Sequence, residues 1–214
     1  MEKVKIAVLV SGGGTNLQAL LEAEARGEIV DGEICLVMSN NPNAYALQRA
    51  KNFNKKAVAL NKKELGKDLF EEKLIATLKE NNIGLIVLAG FMCILSYNFT
   101  KTFANRIINV HPALIPSFCG EGYYGLKVHE KALEYGVKVS GATVHFVNEI
   151  PDGGKIIMQK AVKVLEKDTP ETLQKRIMKQ AEWKILPKST QLVCSMIKKE
   201  LIWIFTKLIK LQIY

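Results

Sequence analysis

Cysteine and histidine are scarce in this chain of 214 residues. The four cysteines, Cys35, Cys93, Cys119 and Cys194, are scattered and form no CxxC pair, and the three histidines lack metal-ligand spacing. A disulfide framework and a metal centre are therefore not expected, and reduced thiols fit a cytoplasmic protein. Long apolar runs are missing from the N-terminus too. The IAVLV stretch inside MEKVKIAVLVSGGG suits a first strand, and is too short for a signal-peptide core or a membrane span. No low-complexity run or 34-to-45-residue repeat occurs, which argues against solenoids and propellers.

The composition is that of an ordinary globular domain, with 48% hydrophobic and 24% charged residues. The net charge is +9. Nucleic acid is one reading of that charge, but the lysines are spread along the chain without interleaved aromatics, and small polyanionic substrates such as phosphates and carboxylates suit a basic protein equally. Part of the excess lies in the tail, where Lys198, Lys199, Lys207 and Lys210 face only Glu200.

Residues 4–10, VKIAVLV, form an apolar run without alternation, as in a strand covered on both faces. SGGGTN follows, then the amphipathic LQALLEAEARG, with Gly27 as a helix stop. EICLVM (33–38) predicts a second strand, and Pro42 suits the first turn of a helix reaching Asn52. AVAL (57–60) is a short strand, 64–81 is helical, and IGLIVLAG (83–90) is another doubly buried strand. A short helix then precedes a strand opening at Ile107. In the second half, 125–136 predicts a helix, while 139–147 and 155–164 predict two strands in an antiparallel hairpin. Thr169 caps a helix with Pro170 at its first position. The expected architecture is α/β: one domain with a mostly parallel twisted sheet, helices on both faces and an antiparallel hairpin near the C-terminus. The body spans 1–190, and 191–214 is an atypical hydrophobic and basic tail of helical character, with residues 201, 204, 205 and 208 able to form an apolar stripe.

SGGGTN lies between a strand and a helix, where glycine amides and a helix N-terminus favour an anion. No GK[ST] follows, Asn16 stands near the place of a third glycine, and the second strand ends in Ser39-Asn40-Asn41 without an acid for a ribose diol. A single phosphate fits better than a dinucleotide, and a plain tight turn is the alternative. Among the histidines, His129 lies between Lys127 and Glu130–Lys131, so a solvated face is expected, and His145 reads as a satisfied core or supporting residue. His111 ends a strand that should be parallel, and Asn109, two residues earlier, projects to the same side. A carboxamide and an imidazole together can stabilise an oxyanion and move a proton, or merely satisfy a polar strand end. Asp152, in NEIPDGG, is the leading carboxylate partner, although Asp-Gly-Gly is also turn chemistry.

VSGGGTNLQAL, LAGFMCILS, INVHPALIPSF, GATVHFV and DGGKII occur in an order and spacing that resemble the phosphoribosylglycinamide formyltransferases, folate-dependent enzymes of purine biosynthesis, over about residues 4–190. The resemblance implies a Rossmann-like formyltransferase fold. It also implies transfer of the formyl group of 10-formyltetrahydrofolate, the co-substrate, to the amine of glycinamide ribonucleotide. By that resemblance Asn109, His111 and Asp152 match the catalytic trio. Gly14, Thr15 and Asn16 match the contacts to the ribonucleotide phosphate, and Glu182 matches an acid that holds its ribose. Met92, Cys93, Ile94 and Leu95, with Asn109, Asn148, Glu149, Ile150 and Pro151, match the folate pocket, and Lys67 lies near a basic contact to the folate tail. The chain departs from the family at Cys93, commonly arginine; at Pro151; at Trp183, where many relatives have histidine; and in its tail. The implied partners are small molecules, without nucleic acid, membrane or metal, for a cytoplasmic monomer or homodimer. The rival readings are a methionyl-tRNA formyltransferase-like or formyltetrahydrofolate hydrolase-like enzyme, or a catalytically dead nucleotide- or RNA-binding module.

Overall fold

A computed structural model describes residues 2–212, with side chains to Glu200. Its elements run β1 (Val4–Val10), α1 (Thr15–Ala25), β2 (Gly32–Ser39), α2 (Tyr45–Asn52), β3 (Lys56–Ala59), α3 (Lys62–Glu80), β4 (Leu85–Leu88) and α4 (Tyr97–Thr102). They continue with β5 (Ile107–His111), α5 (Lys127–Tyr135), β6 (Val139–Phe146), β7 (Ile156–Lys163), α6 (Pro170–Ile177), a π-helical turn (Met178–Glu182) and α7 (Trp183–Gln212).

The seven strands lie in the order β3-β2-β1-β4-β5-β6-β7. β3 through β5 are parallel, and β6 and β7 each run antiparallel to the preceding strand. The expected architecture is therefore present. The apolar run Ile6–Val10 of β1 has a direct cause. Ile6, Val8 and Val10 pack on the face covered by α1, α6 and α7, while Ala7 and Leu9 pack on the opposite face against Phe70, Leu74 and Phe99. From Ile6 to Val10 both faces of the strand are in the core, so those positions are apolar, while Lys5 near its start is only half-buried. Chain order reverses between β1 and β4, and ligands collect in the crevice at such a switch point. The loops after β1 and β4 meet there, where the Met92 amide donates to Ser11 Oγ at 2.8 Å.

Several elements differ locally from expectation. α2 begins at Tyr45, three residues past Pro42. The Asn41 side chain accepts the Asn43 amide and the Asn41 carbonyl accepts the Ala44 amide, so Pro42 sits in a turn and not in a helix. α3 is interrupted at Gly66, whose φ of 73° and ψ of 175° break the helical path. His129 is fully buried and not solvated, because Val128, His129 and Ala132 form the inward stripe of α5 while the neighbouring charges face out. α7 runs through residue 190 without a break, and its Val193, Cys194 and Ile197 are buried in the core. The side chains of residues 201, 204, 205 and 208, the expected stripe, lie outside the described residues.

Candidate active site

Asn109 and His111 sit at the carboxyl end of β5, on the sheet face opposite Ile108 and Val110. The antiparallel register of β6 places His145 across from Asn109 and Thr143 across from His111. Four polar side chains thus share one patch. All but Asn109 are almost wholly buried.

The turn between β6 and β7 brings in the carboxylate. Asp152 adopts φ 55°, a conformation that short polar side chains tolerate better than others. Its Oδ2 lies 3.4 Å from His111 Nδ1 and accepts the Gly120 amide at 2.9 Å, and its Oδ1 lies 3.5 Å from His145 Nε2. The structure therefore brings Asn109, His111 and Asp152 together.

The backbone carbonyls fix one proton on each ring. His145 Nδ1 lies 2.8 Å from the Phe146 carbonyl, so it carries a proton and donates it. Asn109 Nδ2 and Asp152 Oδ1 both approach the other ring nitrogen, Nε2, at 3.2 and 3.5 Å. The first contact turns the NH2 of Asn109 toward His145 and leaves its second N–H for another partner. His111 Nε2 donates to the Phe118 carbonyl at 2.8 Å. Burial pushes the His111 imidazole below its usual pKa; the Asp152 charge and the Phe118 carbonyl offset this in part. For Asp152, burial acts upward, but contact with His145, the charge of His111 and the Gly120 amide together hold it below the usual carboxylate range. His129 lies behind this group, and burial with the His111 charge lowers its pKa to about 4.

Phe118 and Gly120 carried no signal in the sequence, and Thr143 only a faint one. The Thr143 hydroxyl donates to the Ala113 carbonyl at 2.7 Å and accepts the Ile115 amide at 3.1 Å, so it fixes the start of the segment that supplies Phe118 and Gly120. The polar alternation of Thr143 and His145 within a buried strand was the one available clue.

The second part of the site is the glycine loop. Gly14 caps α1 in the left-handed conformation, φ 72°, with no side-chain cap, which leaves the first-turn amides of Thr15 and Asn16 open to an anion. Asn16 is only 9% exposed, and its Nδ2 donates to Glu182 Oε2 at 2.6 Å while its Oδ1 is buried without a partner. Glu182 ends the π-helical turn, which rotates it inward. Burial raises its pKa to about 7 against the opposing bond from Asn16.

The folate-pocket positions form a looser rim. Met92 and Ile94 are 53% and 73% exposed on the loop after β4, while Cys93 and Leu95 are half-buried. Glu71 clamps the far end of this loop through the Ser96 amide and hydroxyl. Cys93 Sγ accepts Asn40 Nδ2 at 2.9 Å. Asn148 Oδ1 accepts the Ile150 amide, and Glu149, Ile150 and Pro151 are exposed. Lys67 stands exposed just past the break in α3 and makes no side-chain hydrogen bond among the described residues.

The profile of the Formyl transferase family matches residues 4–190. A chloroplastic phosphoribosylglycinamide formyltransferase of Arabidopsis thaliana is 38% identical over 81% of this chain, and the chain spans 60% of that relative's length. The phosphoribosylglycinamide formyltransferase of Haemophilus influenzae is 41% identical over 86% of this chain and 84% of its own. Among solved structures, glycinamide ribonucleotide transformylase 1 from Symbiobacterium toebii superposes with a TM-score of 0.84, at 39% identity, over 90% of this chain and 88% of the other.

Proposed function

The chain belongs to the formyl transferase family, and from that membership we propose that it transfers the formyl group of 10-formyltetrahydrofolate to the amine of glycinamide ribonucleotide, in purine biosynthesis. The observation that carries this reading is the convergence of Asn109, His111 and Asp152 at the end of β5.

The amine attacks the formyl carbon, and the carbonyl oxygen takes the negative charge. The free N–H of Asn109 and the Nε2–H of His111 stabilise that oxyanion, provided the Phe118 carbonyl releases the imidazole. The C–N bond to N10 then breaks. The amine gives up one proton and N10 gains one: protonated His111 gives its Nε2–H to N10, keeps the Nδ1–H that faces Asp152, and Nε2 then takes the amine proton, so the balance closes. Burial favours neutral His111 before the reaction. A developing oxyanion reverses this, because it adds a second negative charge to that of Asp152 beside the ring. The phosphate of the ribonucleotide rests on Gly14, Thr15 and Asn16, and Glu182 holds its ribose. The folate lies against Met92–Leu95 and Asn148–Pro151, and Lys67 meets its acidic tail. Residues 1–190 perform the transfer, and α7, described to Gln212, continues beyond them. The partners are these two small molecules, without nucleic acid, for a cytoplasmic monomer or homodimer.

The test is an assay of the purified chain with glycinamide ribonucleotide and a 10-formyl folate. Deformylated folate that accumulates only when the ribonucleotide is present supports the proposal. Release that ignores the ribonucleotide indicates a hydrolase, and release dependent on methionyl-tRNA indicates the tRNA enzyme.

A further inference from the structure

Helix α2 grips the glycine loop from outside the site. The Ala46 amide donates to the Gly12 carbonyl at 3.1 Å, and Arg49 Nε donates to the Gly13 carbonyl at 2.7 Å. Arg49 Nη1 reaches across to Gln18 Oε1 on α1 at 3.0 Å, and the guanidinium lies over the Tyr45 ring, 4.9 Å from its centre. The contact is close: a Cβ added to Gly14 would lie 2.6 Å from the Ala46 Cβ.

This grip has a consequence for the other side of the loop. In a trans peptide unit the C=O and the N–H point in opposite directions. A Gly12 carbonyl drawn to α2 sends the Gly13 amide away from α2, and a Gly13 carbonyl drawn to Arg49 does the same for the Gly14 amide. We propose that Arg49 is a positioning residue for phosphate recognition: it holds the Gly13–Gly14 peptide so that its N–H faces the phosphate monoester. The inference rests on the reading above that the ribonucleotide phosphate sits on this loop. Arg49 suits the task better than lysine would, because its planar fork can bond Gly13 and Gln18 at once.

The experiment compares full-length wild type, Arg49→Gln and Arg49→Lys. It measures KM for glycinamide ribonucleotide and for a 10-formyl folate, calorimetric affinity for ribose 5-phosphate, and thermal unfolding. A lost charge-assisted hydrogen bond weakens binding at least about tenfold. Arg49→Gln should therefore raise the ribonucleotide KM and the ribose 5-phosphate Kd by about that factor or more, with the folate KM and kcat within about twofold. Arg49→Lys should recover only part of the loss. Equal losses for both substrates, or lower thermal stability with unchanged phosphate affinity, would make Arg49 a mere staple for α2 and overturn the inference. Full recovery in Arg49→Lys would also overturn it, because charge alone would then suffice. Wild type that turns over but shows no affinity for ribose 5-phosphate would remove the phosphate-loop premise itself. If Arg49→Gln does not fold, Gln18→Ala removes the second anchor and should raise the same two constants by a smaller factor, and unchanged constants there overturn the inference.

Discussion

At the end of β1 the protein presents open amides of the backbone, one half-buried arginine and an acid whose pKa is raised to about 7. At the end of β5 it presents side chains drawn from three segments: Asn109 and His111, His145, and Asp152. The first arrangement suits a charge present before and after reaction, since fixed amides bind substrate and transition state alike. The second suits a charge that appears only during reaction, since a titratable ring can follow it. Substitutions at the two ends should therefore separate binding from turnover.

The largest effect is expected at the β5 end. A donor to an oxyanion contributes about 3 to 4 kcal/mol, so Asn109→Ala and His111→Ala should each lose at least roughly a hundredfold in kcat. Because both serve one oxygen, the double variant should lose less than the product of the two factors. Steady-state kinetics in which kcat stays normal and KM rises would erase the contrast between the two ends.

Asp152→Asn comes next. Asp152 raises the His111 pKa against burial, so its loss moves that pKa further down. Turnover at neutral pH should fall by about tenfold or more and recover in part as the pH is lowered, as general-acid catalysis requires. A pH–rate profile parallel to that of wild type would show that Asp152 acts through something other than the ring.

At the β1 end, Gly14→Val should act on binding. It forces a branched side chain into positive φ and against Ala46. Calorimetry should show ribonucleotide affinity reduced at least about tenfold with folate still bound, together with a lower melting temperature. Unchanged ribonucleotide affinity would remove the phosphate from this loop.

Glu182→Gln sharpens the same end through pH. The folded pKa of Glu182, about 7, lies above the ordinary 4.5, so folding favours the protonated acid. The resulting stability is full below pH 4.5 and is lost as pH rises through 7. Glutamine mimics the protonated form and can still accept from Asn16. At pH 8 the variant should be more stable than wild type by roughly 3 kcal/mol, at 1.36 kcal/mol per pKa unit, and the gain should vanish near pH 4. Denaturant titrations at the two pH values test this, and a pH-independent difference would contradict it. The smallest effect is expected from truncation after Glu200. α7 is already held on the body by Val193, Cys194 and Ile197 and by Lys198 Nζ, 2.6 Å from Asp31 Oδ1. Both kcat and the two KM values should stay within about twofold, and a selective loss of turnover would tie the tail to the β5 end.

Much of this was legible in the chain alone, because the relevant signals are local. Doubly buried stretches of strand must be apolar, so Ile6–Val10 of β1 and the whole of β4 are visible as runs. A period of two makes Asn109 and His111 neighbours in any extended chain. A strand, a glycine loop and a helix in succession make an anion site by backbone geometry. The remainder depended on which strands become neighbours. Only the antiparallel register of β5 with β6 sets His145 against Asn109, and only the return of the β6–β7 turn carries Asp152 to His111 across 41 positions of sequence. The burial of His129 followed from the face that α5 turns inward, and the role of Arg49 from the packing of α2 on the glycine loop. Residue type and short-range period determined which groups could do the chemistry. The tertiary structure decided which of them meet, because hydrogen bonds and charge interactions act over a few ångströms of space whatever the distance along the chain.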